Sequence, residues 1–208
     1  MSRVRIHNFS ISLDGFATGE GQTLETPFGH AEHRLHEWMF ATRFGRHEIL
    51  GEPGGTEGVD CAMAEQHGPG IGAEIMGAGK FGPPGWQDDP EWRGWWGDNP
   101  PFHTPTYVLT HGPHPSLEME GGTTFHFLDA TPADALEVAR EAAAGQDVRI
   151  GGARPWRATS SLPASSTTST SCWCRSCSAA AFGCGTAWRR WSSSTRWRQS
   201  RRPAVSPT

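Results

Sequence analysis

The first 152 residues predict an α/β domain with a mixed central sheet covered by helices. Three observations carry this. Strand and helix patterns alternate over residues 106–150, the rhythm of a sheet built with crossover helices. Residues 4–13 place apolar side chains on both faces, as an interior strand does. Glycine clusters follow directly on two of the predicted strands, at 77–82 and at 151–152.

Each element has its own warrant. In 4–13, Val4 and Ile6 lie on one face and Phe9, Ile11 and Leu13 on the other, and Asp14-Gly15 supplies the turn. Residues 16–29 hold several glycines and threonines and read as a mobile loop. Leu35, Trp38, Met39 and Phe44 recur at roughly helical spacing, which predicts one amphipathic helix over 30–44. Residues 45–58 read as loop, and 59–67 as a short helix. A strand over 73–76 runs straight into Gly77-Ala78-Gly79-Lys80-Phe81-Gly82. Residues 83–105 are dominated by Pro, Gly, Trp and Asp; a loop this long in a compact domain tends to be functional. Strands follow at 106–110 and 123–128. Thr131 or Asp129 caps a helix that runs to 144, with Pro132 in its first turn and Gly145 at its end. The strand 148–150 then delivers Gly151-Gly152.

Composition divides the chain at that point. A length of 208 residues is enough for one domain with a sizeable core. The net charge of −4 conceals an asymmetry: residues 1–152 carry all 22 acidic groups and half of the 18 basic ones, whereas 153–208 carry nine arginines and no acid. Four of the five cysteines also fall in 153–208. No stretch has the apolar length of a membrane span or a signal peptide, so the expected location is cytoplasmic, with no membrane partner.

The two glycine clusters lie where backbone N–H groups could cradle phosphate oxygens. Neither matches the G-x-G-x-x-G dinucleotide fingerprint, and a Gly pair after a strand is by itself more often a tight turn. Lys80 adds a cation beside the first cluster, although a lone lysine is ordinarily solvated. Asp14 is the candidate catalytic residue, against the plainer reading of Asp-Gly as a turn. His30, His33 and His36, three residues apart, read as a solvated helix flank rather than a zinc site, and no metal site is expected.

The combination of Ser12-Leu13-Asp14-Gly15, Ile75-Met76-Gly77, Tyr107-Val108-Leu109-Thr110-His111 and Ile150-Gly151-Gly152 resembles the dihydrofolate-reductase-like superfamily. The likeness is nearest to the reductase (C-terminal) domain of the bifunctional riboflavin-biosynthesis deaminase–reductase. Trp95-Trp96-Gly97-Asp98-Asn99-Pro100-Pro101-Phe102-His103-Thr104-Pro105 and Glu118-Met119-Glu120-Gly121-Gly122-Thr123-Thr124-Phe125 are typical of its stand-alone relatives. The resemblance covers about residues 3–152. It implies a three-layer fold that binds NADPH at the carboxyl ends of its strands. Gly77, Ala78, Gly79, Lys80, Thr110 and His111 would face phosphates and ribose. Gly151 and Gly152 would approach the pyrophosphate, and the Asp14-Gly15 loop would close over the nicotinamide. The implied reaction is hydride transfer to a small pterin-like or ribosylamino-pyrimidine-like substrate, with no nucleic-acid partner and with a homodimer as the implied assembly. Where the family commonly has Arg after Met-Gly, this chain has Ala78. Lys80 could substitute only as a point charge.

Residues 153–208 read as a separate Ser-, Arg-, Trp- and Cys-rich tail. Cys172, Cys174, Cys177 and Cys184 lack the spacing of paired zinc knuckles. The Arg/Trp mixture of 188–202 could bind single-stranded nucleic acid, and a disordered tail is the bland version. The rival class is therefore a non-enzymatic nucleic-acid- or zinc-binding protein. A frameshift accounts for more of the composition. Read two bases in, with G/C-ending codons, residues 171–178 give Val-Leu-Val-Pro-Val-Leu-Leu, then Gly, and the residues from 153 give a helix-like run ending Asp-Asp-Leu-His-Leu. On this reading the sheet's C-terminal strands are lost or replaced, and a sheet edge is left open.

Overall fold

The computed structural model describes residues 2–12, 16–112, 114–152 and 167–173; for 7–9 and 167–173 it describes the main chain alone. The described part is an α/β structure around one seven-stranded mixed sheet of order β4-β5-β3-β2-β6-β1-β7. The strands are β1 (Val4–Ile11), β2 (Ile71–Gly77), β3 (Pro105–Leu109), β4 (Leu117–Glu118), β5 (Thr124–Leu128), β6 (Asp147–Gly151) and β7 (Thr167–Trp173). Every pairing is parallel except β4 with β5.

Alternation along the strands makes two apolar faces. Ala73 and Ile75 of β2, Tyr107 of β3, Val148 of β6 and Val4 of β1 meet Leu136, Ala139 and Ala143 on one side. Leu136 and Ala139 belong to α4 (Pro132–Ala142), which is capped as expected: the Asp134 N–H donates to Thr131 Oγ1 over 3.2 Å, and Pro132 opens the helix. Gly145, with φ +90°, turns the chain out of the helix region toward β6. On the other side Met76, Val108 and Phe125 meet Phe81, Trp86, Phe102 and Met119. Phe81 ends α3 (Ala78–Phe81), and Trp86 and Phe102 come from the segment predicted as an irregular excursion. That segment has little regular structure, but its Trp86 and Phe102 are buried in this second cluster of the core.

Two expectations are corrected. No single helix spans 30–44: the chain forms a 3-10 turn (Gly29–Ala31), α1 (Glu37–Phe40) and a π-helical stretch (Gly45–Leu50) before α2 (Val59–Glu65). Thr42 interrupts the pattern. Its buried hydroxyl donates to the Met39 carbonyl over 2.6 Å and accepts from the Gly45 N–H over 3.0 Å, replacing helical partners with a side chain. The edge of β1 is also not open. Residues of the tail run parallel to it as β7, pairing from Val4 with Thr167 to Ile11 with Trp173.

Candidate functional site

From β2 the chain goes on to β3 on one side of the sheet, while the strand after β6 lies on the other side, beyond β1. The carboxyl ends of β2 and β6 therefore flank a topological switch point, where open parallel sheets bind ligands. Register brings both glycine clusters there. Met76 pairs with Gly151, so Gly77 and Gly152 continue side by side, and Gly77 pairs with Leu109, which sets Thr110 and His111 alongside.

The residues gathered there differ in what they offer. A Cβ added to Gly77 or Gly79 would meet nothing within 4 Å, so that turn has room for a ligand against its backbone. Thr110 is buried, and its hydroxyl accepts from the Gly112 N–H over 3.2 Å. The His111 side chain is fully solvated, with Nδ1 2.9 Å from Asp129 Oδ1. Ala78, in place of an arginine, brings no charge. Asp14 lies outside the described residues.

Lys80 departs from its expected solvated position. It is half-buried as a residue, and its ammonium end lies against the rings of the second apolar face. Nζ sits 5.2 Å from the Phe102 ring centroid and 5.8 Å from that of Trp96. Its stem lies against the second glycine pair: a Cβ on Gly152 would fall 2.4 Å from Lys80 Cδ, and one on Gly151 would fall 2.3 Å from Nζ. The Gly151-Gly152 step, at φ +61° for Gly152, thus makes room for this lysine as well as for a turn.

Behind Lys80 lies an ion pair that sequence reading missed. Glu74 of β2 and Arg149 of β6 are both 2% exposed and joined through Oε1 and Nη2. Arg149 Nη1 also donates to the His67 carbonyl over 2.9 Å. Glu74 Oε2 and Arg149 Nε are buried without a hydrogen-bond partner. Burial lowers the Lys80 pKa to about 8, with Arg149 acting in the same direction and Glu74 opposing it. Burial also pulls the Arg149 guanidinium downward, against the nearby Glu74 carboxylate. The signal was present: one acid and one base of opposite sign stand inside the apolar runs Ala73–Met76 and Val148–Ile150, each predicted as strand. Charges on inner strands survive only if they find each other.

Of the histidine flank, His30 and His33 are exposed as expected, whereas His36 is half-buried. His36 packs on Phe28 at 4.4 Å between ring centroids and lies 6.2 Å from Phe40. Burial, with His33 and Lys80 nearby, lowers its pKa to about 4. Beside the switch point, a cleft of about 410 Å³ opens between residues 22–25 and the segment holding Pro83, Trp86, Asp89 and Trp92. Its walls are rings, prolines and carboxylates with no cation, so the strand ends, not this cleft, are the place for a phosphate. Among the described residues no helix is long and apolar enough to cross a membrane. No family model and no curated protein matches the chain.

Proposed function

We propose that the chain is a cytoplasmic NADPH-dependent reductase of the dihydrofolate-reductase-like, three-layer type, similar to 5-amino-6-(5-phosphoribosylamino)uracil reductase. The observation that carries this reading is the convergence of Gly77–Gly79, Thr110-His111 and Gly151-Gly152 at adjacent carboxyl ends of parallel strands, around the switch point. Gly77, Ala78 and Gly79 would hold the cofactor's phosphates with main-chain N–H groups, next to Thr110 and His111. The bound cofactor supplies the hydride. Lys80, whose amine lies beside the Phe102 and Trp96 rings and the second glycine pair, does not stand in for the missing arginine in this reading. The Trp86 and Trp92 side of the cleft suits a planar heterocyclic substrate, stacked between rings and prolines. Asp14, on the loop after β1, remains the candidate for the group nearest the nicotinamide, and a homodimer is the assembly that goes with this reading.

The test is ligand-dependent stability of the full chain. At a hundredfold excess over its Kd, NADPH is expected to stabilise the fold by about 2.7 kcal/mol, with quenching of tryptophan fluorescence. Absence of both effects, together with salt-sensitive retention on single-stranded DNA, would replace the reductase by the rival reading of a basic binding tail.

A further inference from the structure

Lys80 is the only lysine in the 208 residues. The single side-chain amine of the chain thus lies against aromatic rings and the second glycine pair instead of standing free on the surface. The surroundings are specific. Phe102 and Trp96 wall the ammonium, Gly151 opens the space it occupies, and Glu74 Oε2 approaches the same point, 3.5 Å from where a Gly151 Cβ would stand. Arg149 lies behind, stacked 5.8 Å from the same Phe102 ring. His36 faces Lys80 from the segment before α1. The outward side is the turn at Gly77 and Gly79, where added side chains would meet only open space.

We propose that Lys80 is the amine of a carbonyl-binding site, which captures a small 2-oxo acid as an imine. A lysine becomes nucleophilic when it is desolvated or placed beside a second cation, and here both conditions hold. The depressed pKa of about 8 leaves roughly 300-fold more neutral amine at pH 7 than an exposed lysine has. The charge count specifies the acid. Lys80 and Arg149 bring two positive charges to one carboxylate, Glu74, and Arg149 Nε has an unused N–H. A carboxylate on the ligand completes both the charge and the donor.

The chemistry balances with the residues present and water. The Lys80 Nζ lone pair attacks the carbonyl carbon, a C–N bond forms, and the C=O π pair moves to oxygen. Glu74 Oε2, which has no hydrogen-bond partner and stands beyond direct contact with Nζ, takes a proton from nitrogen through one water and returns it to that oxygen, giving the carbinolamine. Solvent protonates the carbinolamine oxygen, replacing the proton the resting ammonium gave up; the C–O bond breaks, water leaves, and the nitrogen pair closes the C=N bond as an iminium, whose positive charge the ligand's carboxylate offsets. No oxidant or reductant is consumed, so the inference goes beyond the reductase reading and needs no NADPH.

A single lysine makes the test clean. The full chain is incubated with pyruvate, reduced with cyanoborohydride, and digested for mass analysis. The expected result is a lactyl-sized mass increase on the Lys80 peptide, formed at least tenfold faster than on the Met1 α-amino group. Acetone, which has the same carbonyl without the acid, is expected to label Lys80 at least tenfold more slowly. The Lys80→Arg chain, melted alongside to show that it is folded, should lose the label. A second variant, Glu74→Gln, keeps the amine and should label more slowly with its melt reported in parallel. Labelling at Met1 alone would overturn the proposal. Equal labelling by pyruvate and acetone would overturn the assignment of an acid-bearing ligand.

Discussion

Removing one member of the Glu74–Arg149 pair strands a charge in the sheet interior, which typically costs about 3–5 kcal/mol. Arg149→Met is therefore expected to lower the unfolding free energy by that amount in a denaturant melt, whereas Glu74→Leu combined with Arg149→Met should recover most of it. If the double variant were as unstable as the single one, the charges would be contributing more than mutual neutralisation. His36 gives a pH signature of its own. Its folded pKa, about 4, lies below the ordinary histidine value, so between about 6.5 and 4 the unfolded chain binds the proton that the folded chain refuses. Stability from this group is complete above 6.5 and is lost as pH falls toward 4, by on the order of 2–3 kcal/mol. His36→Phe, which keeps a ring against Phe28 and Phe40, should flatten that part of the stability–pH curve. At this scale the sequence was informative about backbone and silent about environment. It placed Gly77, Gly79, Gly151 and Gly152 together at strand ends, because glycine after a β-branched run is a local signal. It could not tell what surrounds Lys80, because only tertiary pairing of β2 with β6 puts Glu74 and Arg149 beneath it.

At the scale of elements, legibility followed the strength of local signals. The helix 131–144 carried a cap, an N-terminal proline and a terminal glycine; α4 forms with Thr131 and Pro132 in their expected roles, but it ends at Ala142, and Ala144, at φ +49°, takes the first left-handed position ahead of Gly145. Thr131→Ala removes the side-chain acceptor for the Asp134 N–H and should cost about 1 kcal/mol, read as a shift in the denaturant midpoint without a change in slope. The strands predicted at 106–110, 123–128 and 148–150 appear within a residue of their expected ends, because each is a β-branched or aromatic run closed by a turn. The stretch 30–44 failed for an identifiable reason. Its apolar spacing was helical, but periodicity takes no account of Thr42, whose hydroxyl competes for the backbone, nor of Gly45, where a Cβ would stand 2.1 Å from the Met39 carbonyl oxygen. The two-residue β4 escaped notice because Leu117–Glu118 is too short to show a period. The segment 83–104 was legible as irregular but not as core, since Pro and Gly hide the fact that Trp86, Phe102 and their neighbours converge on Phe81 and Phe125.

At the scale of the whole molecule, what matters is the strand beside β1. β7 is the edge strand on that side, and the strands of a parallel sheet covered on both faces are normally apolar, β-branched runs. The residues that run along β1 are instead Thr-Thr-Ser-Thr-Ser-Cys-Trp, at 167–173. Read two bases in, the same codons with G/C endings give Asp-Leu-His-Leu-Val-Leu-Val, a run with the composition such a strand requires. The β7 backbone falls where the alternative frame encodes a strand, although the frameshift reading left this edge of β1 open in the chain as written. Resequencing the coding DNA across the codons for residues 151–157 decides whether a base is missing or extra there. If one is, the frame-restored chain should melt at a higher temperature than the chain as written, because apolar residues replace hydroxyl-bearing ones in the strand that pairs with β1. It should also bind NADPH more tightly, with the β6 strand end braced by a well-packed neighbour. If the frame is intact and a chain ending at residue 152 melts at the same temperature as the full chain, β7 contributes nothing to the fold, and the tail's arginines and cysteines must be explained by a function of their own.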